Sequence, residues 1–429
     1  MAALVIFIIC LILYISDKFP LATVALLGCV ALVACNICTA VEAFSGFTSD
    51  IVFIVFGTEI FGIAFHESGL DTLIVRFIQK HSKGDTSDVV TRRIIILAGT
   101  IAAVMSAFLN NQVVSALMLV ICRGMAARSE EVDVKDITLP VIYFVILGGQ
   151  CTLIGAPATL MASSISEEMT GNRITFFELL PIGAIIFVLG MIYIYCFGYK
   201  RGLKIWNNKG VEAKSGSSEK DNGKDSIRMK EVDKRKCIIT ALTGVLMLIM
   251  FITETLSVGM VSLIGALICI LFGVVEQKKA LSKVDWNILI WLGCSIGMAN
   301  VLNGCGIVQS CCDKLIAHLP ADMSPYAFLI AAVLLTTVIS NLIANTTTVI
   351  MILPFAIQIA NQFGWNPVPF VIGITMAAGL SIMTPLSCGF IGMTMRVGYR
   401  FKEYVKYGIN IQGILTALIV VLTIMMYKF

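Results

Sequence analysis

Met105-Ser-Ala-Phe-Leu-Asn-Asn-Gln-Val-Val-Ser-Ala-Leu-Met-Leu119 is an apolar run broken at its middle by three consecutive amides, Asn110, Asn111 and Gln112. It belongs to a longer apolar stretch, 91–124, which overshoots the roughly 20 residues that cross a hydrocarbon core of about 30 Å. A hairpin that enters and leaves by one face, with its non-helical tip covered by protein, accommodates those amides where a lipid-exposed helix does not. The stretch therefore predicts a re-entrant helical hairpin. A second stretch, 325–360, repeats the pattern and is broken by Asn345 and Thr346-Thr347-Thr348.

The rest of the chain sets these hairpins in a bilayer. Of 429 residues, 58% are hydrophobic and 14% charged, against about 25% charged in soluble domains. Apolar runs near 2–16, 20–38, 49–67, 136–166, 175–199, 237–254, 256–275, 285–303, 368–395 and 408–427 read as transmembrane spans. The expected fold is an all-α polytopic membrane protein, about ten transmembrane helices plus two re-entrant hairpins. A soluble enzyme and a single-pass anchor are excluded. Most of the 14 cysteines lie inside apolar runs, where thiols act as small hydrophobes, so no disulfide framework is expected. Cys35-x-x-Cys38 reads as packing rather than a redox pair. The first helix lacks a basic leader and a polar exit, so it is not read as a cleaved signal peptide.

Basic residues orient the spans. Alternating sides along the chain puts 28 of the 31 Lys and Arg on one face, leaving Arg173, Lys314 and Lys428 opposite. By the positive-inside bias the crowded face is cytoplasmic. A multi-pass inner-membrane protein follows, with the polar linker 200–236 inside and both termini outside. The net charge of +4 is thus a topology signal, and no nucleic-acid partner is expected.

The two halves match. Asp50 through Gly57 and Gly62 resembles Asp285 through Gly293 and Gly297, Asn111 parallels Asn345, and Gly155-Ala156-Pro157 parallels Met383-Thr384-Pro385. On the assigned topology the repeats, 43–199 and 276–408, are inverted. Helices at 1–42 and 237–275 would form a scaffold, and 409–429 a closing helix. Inverted repeats broken at corresponding places mark a secondary transporter with its site at the midplane.

Helix ends buried at such breaks expose N–H groups that favour anions, and carbonyls that favour small cations. The first half supplies Ser106, Asn110, Asn111 and Gln112 at its tip, with Gly148-Gly149-Gln150-Cys151-Thr152 on the broken span. The second supplies Ser340, Asn341, Asn345, Thr346 and Thr347, with Gly379, Ser381, Thr384, Pro385 and Ser387. Neutral oxygens hold a hard cation without a large buried charge. Any one of these residues is also suited to a helix cap or an interhelical bond. The equivalent placement of Asn111 and Asn345 is what favours a site.

The run 105–119, the run Gly148 to Pro157, and Met383-Thr-Pro-Leu-Ser through Gly398-Tyr-Arg-Phe-Lys-Glu-Tyr-Val-Lys-Tyr-Gly408 together resemble the divalent-anion/sodium symporter family. More widely, they resemble the ion transporter superfamily that also holds arsenite-pump membrane subunits, citrate transporters and sodium/proton antiporters. The resemblance runs from about Ala43 to Gly408 and implies a homodimer whose transport domain moves like an elevator. It also implies a sodium site at Ser106, Asn110, Asn111 and a carbonyl near Gly149, and another at Ser340, Ala344, Asn345 and a carbonyl near Ala378. Substrate would touch Asn111, Gln112, Asn345, Thr346 and Thr384. Carboxylate-transporting members carry Ser-Asn-Thr at both tips, whereas this chain has Asn110-Asn111-Gln112 and Ala344-Asn345-Thr346, without the tip serines.

Glu59 stands apart, near the middle of the third span, where an acid is expensive. It is read either as a proton- or cation-coupling group or as a carboxyl bonded to a neighbouring helix. His66-Glu67 lacks a second His for a zinc motif, and no phosphate loop, nucleophile elbow or dinucleotide fingerprint occurs. Segments 70–82 and 306–318 read either as amphipathic arms in the interface or as ordinary loop helices. The chain is thus expected to carry a small anion (a di- or tricarboxylate, sulfate or another oxyanion) with sodium as coupling ion and no enzyme cofactor. Proton antiport or arsenite export, and a passive channel or membrane subunit of a complex, are the other readings.

Overall fold

The apolar runs fold as helices and the polar interruptions fall between them. The computed structural model describes residues 2–16, 19–81, 87–126, 132–206, 232–253, 256–305, 323–385 and 387–429. The first part comprises α1 (Ala2–Ser16), α2 (Leu21–Ala34), the short α3 (Ala40–Ala43), α4 (Asp50–Ser68), α5 (Leu70–His81), α6 (Ser87–Ser106), α7 (Asn111–Ala126), α8 (Val134–Gly149), α9 (Pro157–Thr170), α10 (Leu180–Tyr193) and α11 (Tyr199–Trp206). The second comprises α12 (Lys234–Thr253), α13 (Val258–Leu271), α14 (Gln277–Lys283), α15 (Trp286–Gly304), α16 (Pro325–Ser340), α17 (Asn345–Gln362), α18 (Val368–Gly379), α19 (Gly389–Met393) and α20 (Phe401–Met426). No strand occurs among the described residues. The linker 207–231 and the segment 306–318, Lys314 included, lie outside them.

Among the described residues, four helices are long and apolar enough to cross a bilayer: Asp50–Ser68, Ser87–Ser106, Leu180–Trp206 and Phe401–Met426. The run expected at 136–166 is two helices, α8 and α9, and that at 368–395 ends as a helix at Gly379. Two expected boundaries are corrected. The helix that begins at Leu180 continues through a π-turn at Ile194–Gly198 to Trp206, past the expected end at 199. The last span begins at Phe401 rather than 408, because Glu403 accepts from the backbone N–H of Arg400 at 2.8 Å and fixes the first turn.

Burial sorts the helices. Every residue of α8 from Ile137 to Gly149, and of α18 from Pro369 to Gly379, is buried, as expected for helices apolar all round at the centre of a bundle. By contrast, α1, α12 and α16 expose large apolar side chains such as Ile8, Ile12, Leu242, Ile249, Leu334 and Val338, a surface suited to lipid. Packing falls mainly into two groups. In one, α4 lies along α13 and α12, and α2 along α15; in the other, α8 is surrounded by α6, α7 and α10, and α18 by α16, α17, α20 and α9. The segment expected as an amphipathic arm is the helix α5, which touches α4 on one side and α6 and α7 on the other. With α6 and α12 it borders an apolar cleft of about 720 Å³ lined by Leu73, Phe77, Val104 and Phe251, among others.

Polar contacts anchor the first group. Asp50 accepts from Ser257 and, at 3.1 Å, from the N–H of Gly259, at the start of α13. Glu67 pairs with Lys279 at 2.7 Å and Lys283 at 3.3 Å on α14. In α3, the N–H and hydroxyl of Thr39 both bond Glu42 and hold its carboxyl below the usual carboxylate range. In the second group the run from Gly398 to Glu403 is structural. Gly398 adopts a left-handed φ of 94°, which favours glycine, and Lys135 on α8 donates to its carbonyl at 2.6 Å. Tyr399 accepts from the N–H of Leu139 at 3.1 Å and donates to the carbonyl of Lys135.

Candidate functional site

The two tips are built alike. Ser106 closes α6, and its hydroxyl reaches Oδ1 of Asn111, the first residue of α7, and the carbonyl of Val145 in α8 at 2.7 Å. Ser340 closes α16, and its hydroxyl reaches Oδ1 of Asn345, the first residue of α17, at 2.8 Å and the carbonyl of Ala378 in α18 at 2.9 Å. A further bond ties each tip to the turn beyond the broken helix: Thr152 donates to the carbonyl of Ala107, and Thr384 to that of Asn341. The serine–asparagine separation is 5 residues in both tips, and the serine–carbonyl separations are 39 and 38.

This geometry concentrates oxygen. At the first tip the Ser106 hydroxyl proton stands among a side-chain amide oxygen, a hydroxyl oxygen and a main-chain carbonyl, and at the second the hydroxyl protons of Ser340 and Ser381 stand among four such oxygens, so oxygens outnumber hydroxyl protons. Such a set suits a small hard cation. Helix direction supplies the complementary field. The N-termini of α7, α9 and α17 begin at Asn111, Pro157 and Asn345, inside the second packing group, and their first-turn N–H groups favour negative charge.

The expected residues separate into those brought together and those not. Ser106, Asn111 and Gly149 meet: a methyl group at Gly149 would overlap the Asn111 amide, so only glycine permits the approach. Asn110 is buried and accepts from the N–H of Gln112 at 2.9 Å, which gives it a capping role on α7. Gln112 lies half-buried in the first turn of α7. Ser340, Asn345 and Ala378 also meet, while Thr384 bonds the nearby carbonyl of Asn341. The carbonyl of Ala344 accepts from the N–H of Thr348 at 3.0 Å, within α17, and Thr346 is half-buried beside it. Glu59 stands elsewhere. It lies on α4 in the other packing group, and its carboxylate accepts from the N–H of Asp285 at 2.7 Å, holding the entry to α15.

Ser381 and Gln150 are among the polar residues expected at the breaks, whereas Cys388, Gln412 and Tyr143 are not. Ser381 donates to Ser340 at 2.6 Å, and Asn345 donates to the sulfur of Cys388 at 3.0 Å. The second break is also held from outside. The N–H of Ile382 donates to Gln412 on α20 at 2.9 Å, and its carbonyl accepts from Tyr143 on α8 at 2.9 Å. Gln412, an amide within an apolar helix, was the one recognisable cue; Tyr143 looks like any core residue. Gln150, an amide between Gly149 and Cys151, sits where the two halves meet, against Gly379.

An all-helical membrane bundle with two broken central helices, each meeting a polar hairpin tip, is the architecture of a transporter. The profile of the citrate transporter family matches residues 11–316 and 248–429, and the chain belongs to that family. It is a multi-pass membrane transporter and not an enzyme, in keeping with the resemblance carried by its motifs. It is 21% identical to the sodium-dependent dicarboxylate transporter SdcS of Staphylococcus saprophyticus, over 95% of this chain and 83% of that one. It is 20% identical to an uncharacterized transporter of Synechocystis, over 99% of this chain and 96% of that one. Its fold is similar to the crystal structure of the Alcanivorax borkumensis YdaH transporter, with a TM-score of 0.59 and 12% identity, over 89% of this chain and 86% of that one.

Proposed function

We propose that the chain is a secondary active transporter of a small anion, a di- or tricarboxylate, sulfate or another oxyanion, driven by sodium. The observation that carries this reading is the repeated arrangement of Ser106, Asn111 and the Val145 carbonyl in Ser340, Asn345 and the Ala378 carbonyl. Each set would hold one sodium ion, with Asn110 and Gly149 contributing at the first and Ala344 at the second. Asn111, Gln112, Asn345, Thr346 and Thr384 would face the anion. Cation binding neutralises the carbonyl-rich helix ends and so favours anion entry only when sodium is present. The sodium-dependent dicarboxylate transport named for the Staphylococcus relative supports this coupling.

The same reading takes 43–199 and 276–408 as inverted repeats, with 1–42 and 237–275 as scaffold and 409–429 as the closing helix. The two hairpins are re-entrant, the linker 200–236 faces the cytoplasm, both termini lie outside, and a homodimer moves its transport domains as an elevator. Uptake into proteoliposomes tests it. Accumulation of succinate, citrate or sulfate against its gradient, driven by sodium alone, is expected; equilibration without accumulation would make the chain a passive channel. Proton antiport or arsenite export has Glu59 as its candidate titrating group, and the bond from Asp285 gives that carboxyl a structural task instead.

A further inference from the structure

Gln150 follows the last residue of α8 and is fully buried, yet neither Oε1 nor Nε2 of its amide has a hydrogen-bond partner. The amide lies flat against Gly379, the last residue of α18, where an added methyl would overlap Oε1, Nε2 and Cδ alike. Leaving a buried polar group unpaired is costly, so an amide fixed in this position calls for a group that completes it.

The surroundings define the charge of that group. α8 and α18 both end here, and a helix C-terminus presents unpaired carbonyls and a partial negative charge. The neighbouring residues add oxygen: Gly149 presses on the Asn111 amide, and the carbonyl of Ala378 lies within reach of the Ser340 and Ser381 hydroxyls. An anion is repelled from such a place and a small cation attracted. We infer that Gln150 is a cation ligand through Oε1, completing a further monovalent-cation site between the carbonyl ends of α8 and α18, which shares neighbouring oxygens with the two at the tips. The site joins residues of both halves, so its occupancy ties the first break to the second. This inference rests on the sodium-coupled reading and adds a third ion to it.

Direct binding of radioactive sodium to the purified full chain tests it, alongside sodium-driven uptake in proteoliposomes. Gln150→Leu and the closely sized Gln150→Met are expected to bind one sodium fewer per chain than the unmodified protein, and to lower the sodium Hill slope of uptake by about one. Gln150→Glu keeps the oxygen and adds charge; it is expected to keep the full count and tighten sodium several-fold. Unchanged sodium count and slope in the Leu and Met variants would overturn the inference alone, and would mean that water completes the amide. Should those two fail to elute as folded protein, an unchanged sodium affinity in Gln150→Glu overturns it equally. Absence of sodium binding to the unmodified chain would overturn the sodium reading and the inference together.

Discussion

Asn345 accepts from Ser340 at 2.8 Å, and Asn111 accepts from Ser106 across the same five-residue interval. Each serine also reaches a carbonyl of a broken helix; the Ala378 carbonyl keeps the Ser381 hydroxyl at 3.0 Å, so removing the Ser340 hydroxyl strands the buried Asn345 amide oxygen. Ser340→Ala should therefore destabilise the chain by about 1–3 kcal/mol, the usual range for a buried group left unpaired. The sharper test is functional. Sodium should raise the melting temperature of the unmodified protein, and Asn111→Ala and Asn345→Ala should each reduce that rise; a full sodium shift in both variants would exclude these asparagines as ligands.

Gly149 supports a second prediction. A methyl group there overlaps the Asn111 amide, and overpacking of this kind costs about 1–3 kcal/mol. Gly149→Ala should cut sodium-driven uptake at least tenfold, on the order of 1.4 kcal/mol at the site. Gly124→Ala on α7, where an added methyl meets nothing within 4 Å, should leave uptake unchanged and gain up to about 1 kcal/mol of helix stability.

Glu59 separates sodium coupling from proton coupling. Glu59→Gln keeps an acceptor for the N–H of Asp285 and should melt within about 1 kcal/mol of the unmodified chain, whereas Glu59→Ala should cost about 1–3 kcal/mol. Under sodium coupling, the pH profile of uptake should be the same in Glu59→Gln as in the unmodified protein. A profile flattened by that change would favour the antiporter.

Glu67 should matter less than its two ion pairs suggest. The lysine side chains are 41% and 45% exposed, and exposed partners hold such pairs near 0–1 kcal/mol each. Glu67→Gln should lower the melting temperature slightly at low salt, and the difference should shrink in 1 M salt, where screening extends to within about 3 Å.

Much of this architecture was legible in the residues themselves. Asn110-Asn111-Gln112 and Asn345-Thr346-Thr347 interrupt apolar runs, and helices end beside them; Gly155-Ala156-Pro157 announces the start of α9. What escaped depends on distant contacts. Lys200, Arg201 and Lys204 made the end of α10 resemble a loop, yet Arg201 donates to the carbonyl of Lys406 at 2.8 Å and Trp206 to Asp136 at 2.7 Å, so the helix is carried on to Trp206. Glycine at 379 reads as a break in the sequence, but its task, admitting Gln150, emerges only when the two halves are folded together. Equally, nothing in the run around Tyr143 distinguishes a hydroxyl that secures an unwound segment 239 residues away.

The clasp on Ile382 has a consequence for the timing of ion capture. With its N–H given to Gln412 and its carbonyl taken by Tyr143, the non-helical segment after α18 is set in shape as the protein folds. Fixing one residue's backbone costs about 1–2 kcal/mol, and under the proposed sodium coupling that ordering would precede the arrival of any ion. If sodium binds as proposed, the second break would thus meet it as a finished mould rather than as a loop that closes around it.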